Sequence, residues 1–296
     1  MESVYELKRK LGEAGLGRVA DQIAGLARPC YTIKRVLRSE DEIPVGASKF
    51  GGSPDVPAGF VWPTTEGSKG PMEFVGQIRL ADLPEPLPEA MPSTGLLSFF
   101  TRWSDGRVYY YPEGTPLQRA SGLHPSVAPA PSGFWQHVTA ALRRRPDECR
   151  TYRACTLELV HRISPPDGNA SMVAALKLSK EESETYFNTY LETPPEQSAS
   201  DTTQHQMFGH AQTVQNEMEL ECDFIRRGEE MRWDLPQERF IAAAGDWVLL
   251  LQVDTDDYKE GPGWMWGDAG MVYFWIHRVD LTARAFDKVI AIEQCH

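Results

Sequence analysis

Nowhere in the 296 residues do 18 consecutive apolar side chains occur, so no membrane-spanning helix is expected. Cysteine is scarce. Cys30, Cys149, Cys155, Cys222 and Cys295 are odd in number and form no C-x-x-C pair, which argues against a disulfide framework and against a zinc ribbon. Reduced thiols fit best, and Met1-Glu2-Ser3-Val4-Tyr5-Glu6-Leu7-Lys8 lacks the apolar centre of an export signal. A cytoplasmic protein is therefore expected, and the sequon Asn169-Ala170-Ser171 carries no weight there. Positive charge is also short: 30 Lys and Arg stand against 42 Asp and Glu, for a net charge of −12 at pH 7. Such a surface repels phosphate backbones. The basic runs Arg143-Arg144-Arg145 and Arg226-Arg227 are not interleaved with aromatics and read as solvated faces. Neither a nucleic-acid nor a membrane partner is expected; a basic protein or a small, even cationic, ligand suits this balance.

Catalytic signatures are missing as well. Gly46-Ala47-Ser48-Lys49-Phe50-Gly51 has the wrong second interval for G-x-S-x-G, and Walker A, H-E-x-x-H and G-x-G-x-x-G do not occur. No cofactor is expected. A two-carboxylate enzyme stays open, because such a pair need not be close in sequence.

What the chain does have is enough apolar material to fold: 41% hydrophobic residues, including 12 Phe, 10 Tyr and 8 Trp, exclude disorder as its overall state. Its most informative feature occurs twice. Phe74-Val75-Gly76-Gln77 is followed 18 residues after the Gln by Gly95-Leu96-Leu97-Ser98-Phe99-Phe100, and Leu249-Leu250-Leu251-Gln252 is followed at the same interval by Gly270-Met271-Val272-Tyr273-Phe274-Trp275. Overlaying 71–105 on 246–280 gives six identities in 35 positions, against roughly two expected by composition. Internal duplication accounts for this; two unrelated hairpins sharing a spacing are the alternative.

Around the repeat, 3–27 reads as two amphipathic helices and Cys30–Leu37 as a strand. Ser48 to Pro54 is a turn cluster, and Pro84, Pro86, Pro88 and Pro92 argue against any helix between Leu80 and Gly95. A surface loop is expected over 112–132, a helix over Phe134–Arg145 and a strand over Thr156–Ile163. Ser179-Lys180-Glu181-Glu182 has capping-box spacing for a helix running to about Leu191, and Thr193–Thr203 reads as a polar linker. The expected fold is α+β, mainly antiparallel β. It is a single domain over 1–296 with an N-terminal helical segment 1–30, a first β half 46–111, a loop and helix insertion 112–204 and a second β half 205–296.

Five motifs in order carry a resemblance. Ser48-Lys49-Phe50-Gly51-Gly52-Ser53-Pro54 with Trp62-Pro63, Gln77 in its apolar strand, Gly95 to Phe100, His205-Gln206-Met207-Phe208-Gly209, and Trp264-Met265-Trp266-Gly267-Asp268-Ala269-Gly270 through Asp280-Leu281 resemble the YwqG-like proteins, a family without an established function. The resemblance implies an antiparallel α+β architecture in a bacterial intracellular protein, and no activity. His210-Ala211 departs from it, standing where an aromatic followed by Pro is expected.

Several residues are candidate ligand contacts, each with a plainer structural reading. Gln77 and Gln252 can satisfy several hydrogen bonds in a buried strand, and a structural pair flanked by an Arg79–Asp254 ion pair is the expectation. Trp264 and Trp266, at i and i+2, could stack on a sugar or cage a cation; as core cover they need no ligand. Trp62 has the same ambiguity. His205, with His210 and Cys222, offers too few ligands at no zinc spacing, so no metal is expected. Asp254, Asp256, Asp257 and Asp268 suggest a calcium loop, but Lys259 and Met265 stand where the EF-hand needs Gly and Glu. The favoured reading is a non-catalytic binding module. The alternatives are an enzyme, such as a hydrolase, with a cleft between the halves lined by Trp62, His205, Trp266 and Asp268, or a carbohydrate or cationic-ligand binder using the Trp264 and Trp266 rings.

Overall fold

The computed structural model describes residues 3–65, 70–84, 87–120, 127–129, 149–191 and 203–296. Both expected N-terminal helices form, as α1 (Val4–Glu13) and α2 (Ala20–Leu26). Ser3 accepts a hydrogen bond from the Glu6 amide to cap α1, and Leu7, Leu11, Val19 and Ile23 are buried along one face. That face packs on Val173 and Tyr186 from α3 (Ser171–Ala174) and α4 (Lys180–Leu191). α4 starts with the expected capping box: Ser179 Oγ accepts from the Glu182 amide at 3.1 Å, and Glu182 Oε2 accepts from the Ser179 amide at 2.8 Å.

The architecture is α+β and mainly antiparallel β, with seven α-helices among the described residues. The principal sheet takes β1 (Arg28–Leu37), β2 (Lys49–Phe50), β4 (Glu73–Arg79), β5 (Leu96–Arg102), β6 (Asp105–Tyr111), β10 (Cys155–Ser164), β11 (Gln206–Phe208), β12 (Trp247–Asp254), β13 (Met271–His277) and β14 (Ile290–Gln294). Their order is β14-β13-β12-β11-β1-β10-β2-β4-β5-β6, so four strands lie outside each member of the central β1–β10 pair. The 112–204 segment therefore supplies a central strand as well as loop and helix.

The sheet curls until its edges face one another: a Cβ on Gly106 of β6 would stand 2.4 Å from Ala291 Cβ on β14, so only glycine permits that approach. The main core fills the curl. Val272, Phe274 and Ile276 of β13 point into it beside Val75, Ile78, Leu97 and Phe99, while Met271, Tyr273 and Trp275 point outward, as strand alternation requires. The outward aromatics are covered by Met218 and Cys222 at α5 (Glu219–Arg227); beyond it lies α6 (Gln237–Asp246).

Three expectations change. The 112–132 loop contains Gln118–Arg119 (β7), paired with Asp55–Val56 (β3), and Val127–Pro129 (β8), which runs parallel to Cys149–Thr151 (β9). A 3-10 turn forms at Leu80–Asp82, where a single turn is complete before the proline at 84 can block it. Arg79 pairs with Asp82 at 3.3 Å and Asp254 Oδ2 accepts from the Gln204 amide, so these two charges find local partners rather than each other. The 134–145 helix and the 193–203 linker, apart from Thr203, lie outside the described residues.

Candidate functional site

The two Gln residues are held alike. Gln77 Oε1 accepts from the Asp55 amide at 2.9 Å, and its Nε2 donates to Ala47 O at 2.8 Å and Asp55 Oδ2 at 2.7 Å. Gln252 Oε1 accepts from the Gln212 amide at 2.9 Å, and its Nε2 donates to Gln204 O at 2.8 Å and Gln212 Oε1 at 3.3 Å. Ala47 and Asp55 precede Gln204 and Gln212 by the same 157 residues. At that step Lys49 donates to Ser53 O and Gln206 to His210 O, and the left-handed Gly51-Gly52 pair recurs as Phe208-Gly209. Ser48 Oγ accepts from the Arg79 amide, as His205 Nδ1 does from Asp254. At the 175-residue step of the strands, a bulge follows Phe74 and another Leu249. Both carboxamides are fully buried and bonded within the frame, with nothing offered to a ligand.

His205 is equally enclosed. With Nδ1 accepting, Nε2 is the protonated nitrogen and donates to Asp256 Oδ2 at 3.3 Å, while Arg35 grips Asp256 through Nε at 2.6 Å and Nη2 at 2.9 Å. Burial pushes the Asp256 carboxyl up, but the hydrogen bonds from His205 and Arg35 and the Arg35 charge outweigh it and hold the carboxyl below its usual range. The His205 and Asp256 side chains have no solvent exposure, so no substrate reaches the pair. The same bonds divert Asp256 from the calcium arrangement.

Trp264 and Trp266 belong to the core. Their rings lie 5.5 Å apart, and Trp264 also packs edge-on against Phe50 at 5.2 Å and Tyr152 at 5.4 Å. Trp266 Nε1 is buried without a hydrogen-bond partner, which suits a filler rather than a recognition group. Trp62 sits in a separate cluster with Phe60 and Phe100, its Nε1 donating to Met72 O. Asp268 is exposed. His205 and Trp266 thus both pack against Trp264, whereas Trp62 belongs to another cluster and Asp268 faces solvent, so the four do not line one cleft. Arg226 is paired with Asp280 and Arg227 with Glu229, while Arg143–Arg145 lie outside the described residues.

A concave site exists elsewhere between the half-sheets. A groove of about 300 Å3 is lined by Arg28 and Pro29 at the start of β1, by Leu87, Pro88 and Glu89 from the β4–β5 connector, and by Phe208, Gly209, Trp247, Val248, Leu249 and Arg278. Its floor is apolar and rigid, since Phe208, Trp247 and Leu249 are buried. Phe208 holds φ at +58°, a conformation costing a non-glycine residue about 1 kcal/mol. Arg278 belongs to α7 (Arg278–Thr282). Arg28 Nη2 donates to Ala244 O at 2.8 Å and Arg278 Nε to Gly245 O at 2.6 Å, so the last turn of α6 fixes both guanidinium groups.

The corresponding place in the other half-sheet is filled. The β4–β5 and β12–β13 connectors have equal length, and at the 175-residue step Glu89 corresponds to Trp264. Strand register likewise equates Arg28 with Tyr152: Thr32 faces Gln206 and Thr156 faces Lys49. There Tyr152 donates to Glu73, the counterpart of Val248, the Arg153 amide donates to Pro262 O at 2.8 Å, and Trp264 closes the space.

Sequence reasoning missed the groove. Its residues come from five separate segments and none is unusual alone; the contrast between proline-rich and tryptophan-rich connectors was the available signal. Among the described residues no three His, Cys, Asp or Glu side chains are arranged to hold a metal ion, and no helix is long and apolar enough to cross a membrane.

The mainly antiparallel α+β architecture thus encloses two buried polar frames beside a groove lined by Arg28, Leu87 and Arg278. Residues 48–295 match the family described as a domain of unknown function, DUF1963, and the chain belongs to that family. No curated protein matches it.

Proposed function

We propose that this DUF1963 protein is a YwqG-like, non-catalytic cytoplasmic binding module built from two duplicated β half-units, whose small ligand occupies the Arg28–Leu87–Trp247–Arg278 groove. One contrast carries this reading: equivalent positions are plugged by Trp264 and Tyr152 in one half-sheet and left open in the other. A groove of about 300 Å3 suits a small molecule. The recurring Gln cradles and paired bulges support the duplication, and the sealed His205–Asp256 pair favours binding over catalysis. Five unbridged cysteines, four of them buried, accord with a reducing compartment.

The test is a broad small-molecule thermal-shift panel run on the native chain and on Glu89→Trp, which places in the groove the residue found at the plugged position. A ligand that raises the native Tm and leaves the variant unmoved is the expected result. Ligands that shift both proteins equally bind elsewhere, and a panel that shifts neither ends the reading.

A further inference from the structure

Two cations meet in this groove on a chain whose net charge is −12. Arg28 is half-buried and Arg278 exposed, and each spends one N–H on a backbone carbonyl of α6, a contact that orients the group without neutralising it. Glu89 is the carboxylate among the lining residues, and Glu219, close to Arg28 behind the lining, has its carboxyl pushed up by burial, so the lining itself sets two positive charges against one negative. Of the other lining residues, Pro29, Leu87 and Pro88 present apolar surface to the groove, over a base formed by the buried Phe208, Trp247, Val248 and Leu249.

The geometry points to a small organic monocarboxylate as the ligand, its apolar body on Pro29, Leu87 and Pro88 and its carboxylate between Arg28 and Arg278. This rests on the groove being the ligand site. A guanidinium presents a planar fork that matches a carboxylate, and two guanidinium groups fixed by the same helix end form a preorganised clamp. Burial, and then the nearby Arg278 charge, push the Arg28 guanidinium below its usual range, with Glu219 opposing them. A carboxylate bound there offsets both penalties. The one excess positive charge of the lining favours a monoanion over a dianion. The Tyr152 counterpart of Arg28 explains why the other half-sheet, even if unplugged, would show no such preference.

Calorimetric titration of the full chain with 3-phenylpropanoate, its neutral amide and phenyl phosphate tests the assignment. The acid should bind at least tenfold more tightly than the amide. Arg278→Gln, an exposed position, should weaken the acid about tenfold and leave the amide unchanged, while Glu89→Gln should strengthen the acid about threefold. Glu89→Trp should abolish binding of both, with its far-ultraviolet circular dichroism unchanged. Equal binding of acid and amide, both blocked by Glu89→Trp, would overturn the carboxylate and leave the groove reading standing. Acid binding that survives Glu89→Trp would overturn both. Tenfold tighter binding of phenyl phosphate, or no heat from the acid, would overturn the monocarboxylate assignment.

Discussion

The two half-sheets share a frame and differ in what lies over it. Gln77 and Gln252 make matching hydrogen bonds, and the bulges after Phe74 and Leu249 fall at the same step. Over one frame, Trp264, Trp266 and Tyr152 leave no space; over the other, Leu87, Pro88 and Glu89 leave a groove. A frame that seats its cover by backbone contacts tolerates either filling. The lesson is that identity between the halves marks what folding needs, and divergence marks where a ligand has room.

The comparison can be broken hardest at the plug. Trp264→Ala should cost about 3–5 kcal/mol in urea unfolding, the range for emptying a tryptophan site, and open a second cavity. A loss below about 1 kcal/mol would mean that the indole is replaceable and the two halves are not distinguished by filling.

Acid offers the next largest effect, and it separates the halves because His210 stands where the other half has Ser53. Burial, followed by the Arg28 charge, drives His210 down to about 3 from the ordinary 6.5, while its Nε2–H donates to Leu26 O at 2.7 Å. A histidine held neutral in the folded state binds fewer protons than in the unfolded chain. Its contribution is present above pH 6.5 and lost as pH falls from 6.5 towards 3, by about 3 kcal/mol at pH 4. Denaturation from pH 7.5 to 4 should show this slope, and His210→Gln should flatten it; an equal slope in the variant would assign acid sensitivity elsewhere.

The cradles sharpen the likeness. Gln77→Ala and Gln252→Ala should each cost about 1–3 kcal/mol through stranded amides and carbonyls, and by similar amounts. Unequal losses, one near zero, would show that matching bonds conceal different roles. Smallest is the surface term: Arg79→Ala should change stability by less than about 0.5 kcal/mol, because its pair with Asp82 is solvated. A double-mutant cycle with Asp254→Ala should give no coupling, and coupling above about 1 kcal/mol would restore the ion pair between the halves.

Much of the frame was legible because it is local. The Ser179–Glu182 capping box, the Cys30–Leu37 strand and the Gln-to-Gly interval are short-range patterns, and each corresponds to an observed element. β10 was legible as a strand but not as the sheet's centre, since its partner β1 lies more than a hundred residues away. The candidate residues show the same effect in reverse. Trp264 and Trp266 attract attention as aromatics beside glycines, yet that composition reflects a filled space, whereas the open one is built from Arg28, Pro88 and Arg278 at unremarkable positions. Nothing in a linear pattern reports an unfilled volume.

The approach of β6 to β14 also bears on solubility. A ten-stranded open sheet would present two edges as templates for foreign strands, the usual seed of fibrillar association. With Gly106 against Ala291, each edge is shielded by the other, and the closure that guards both rims turns on one missing methyl group.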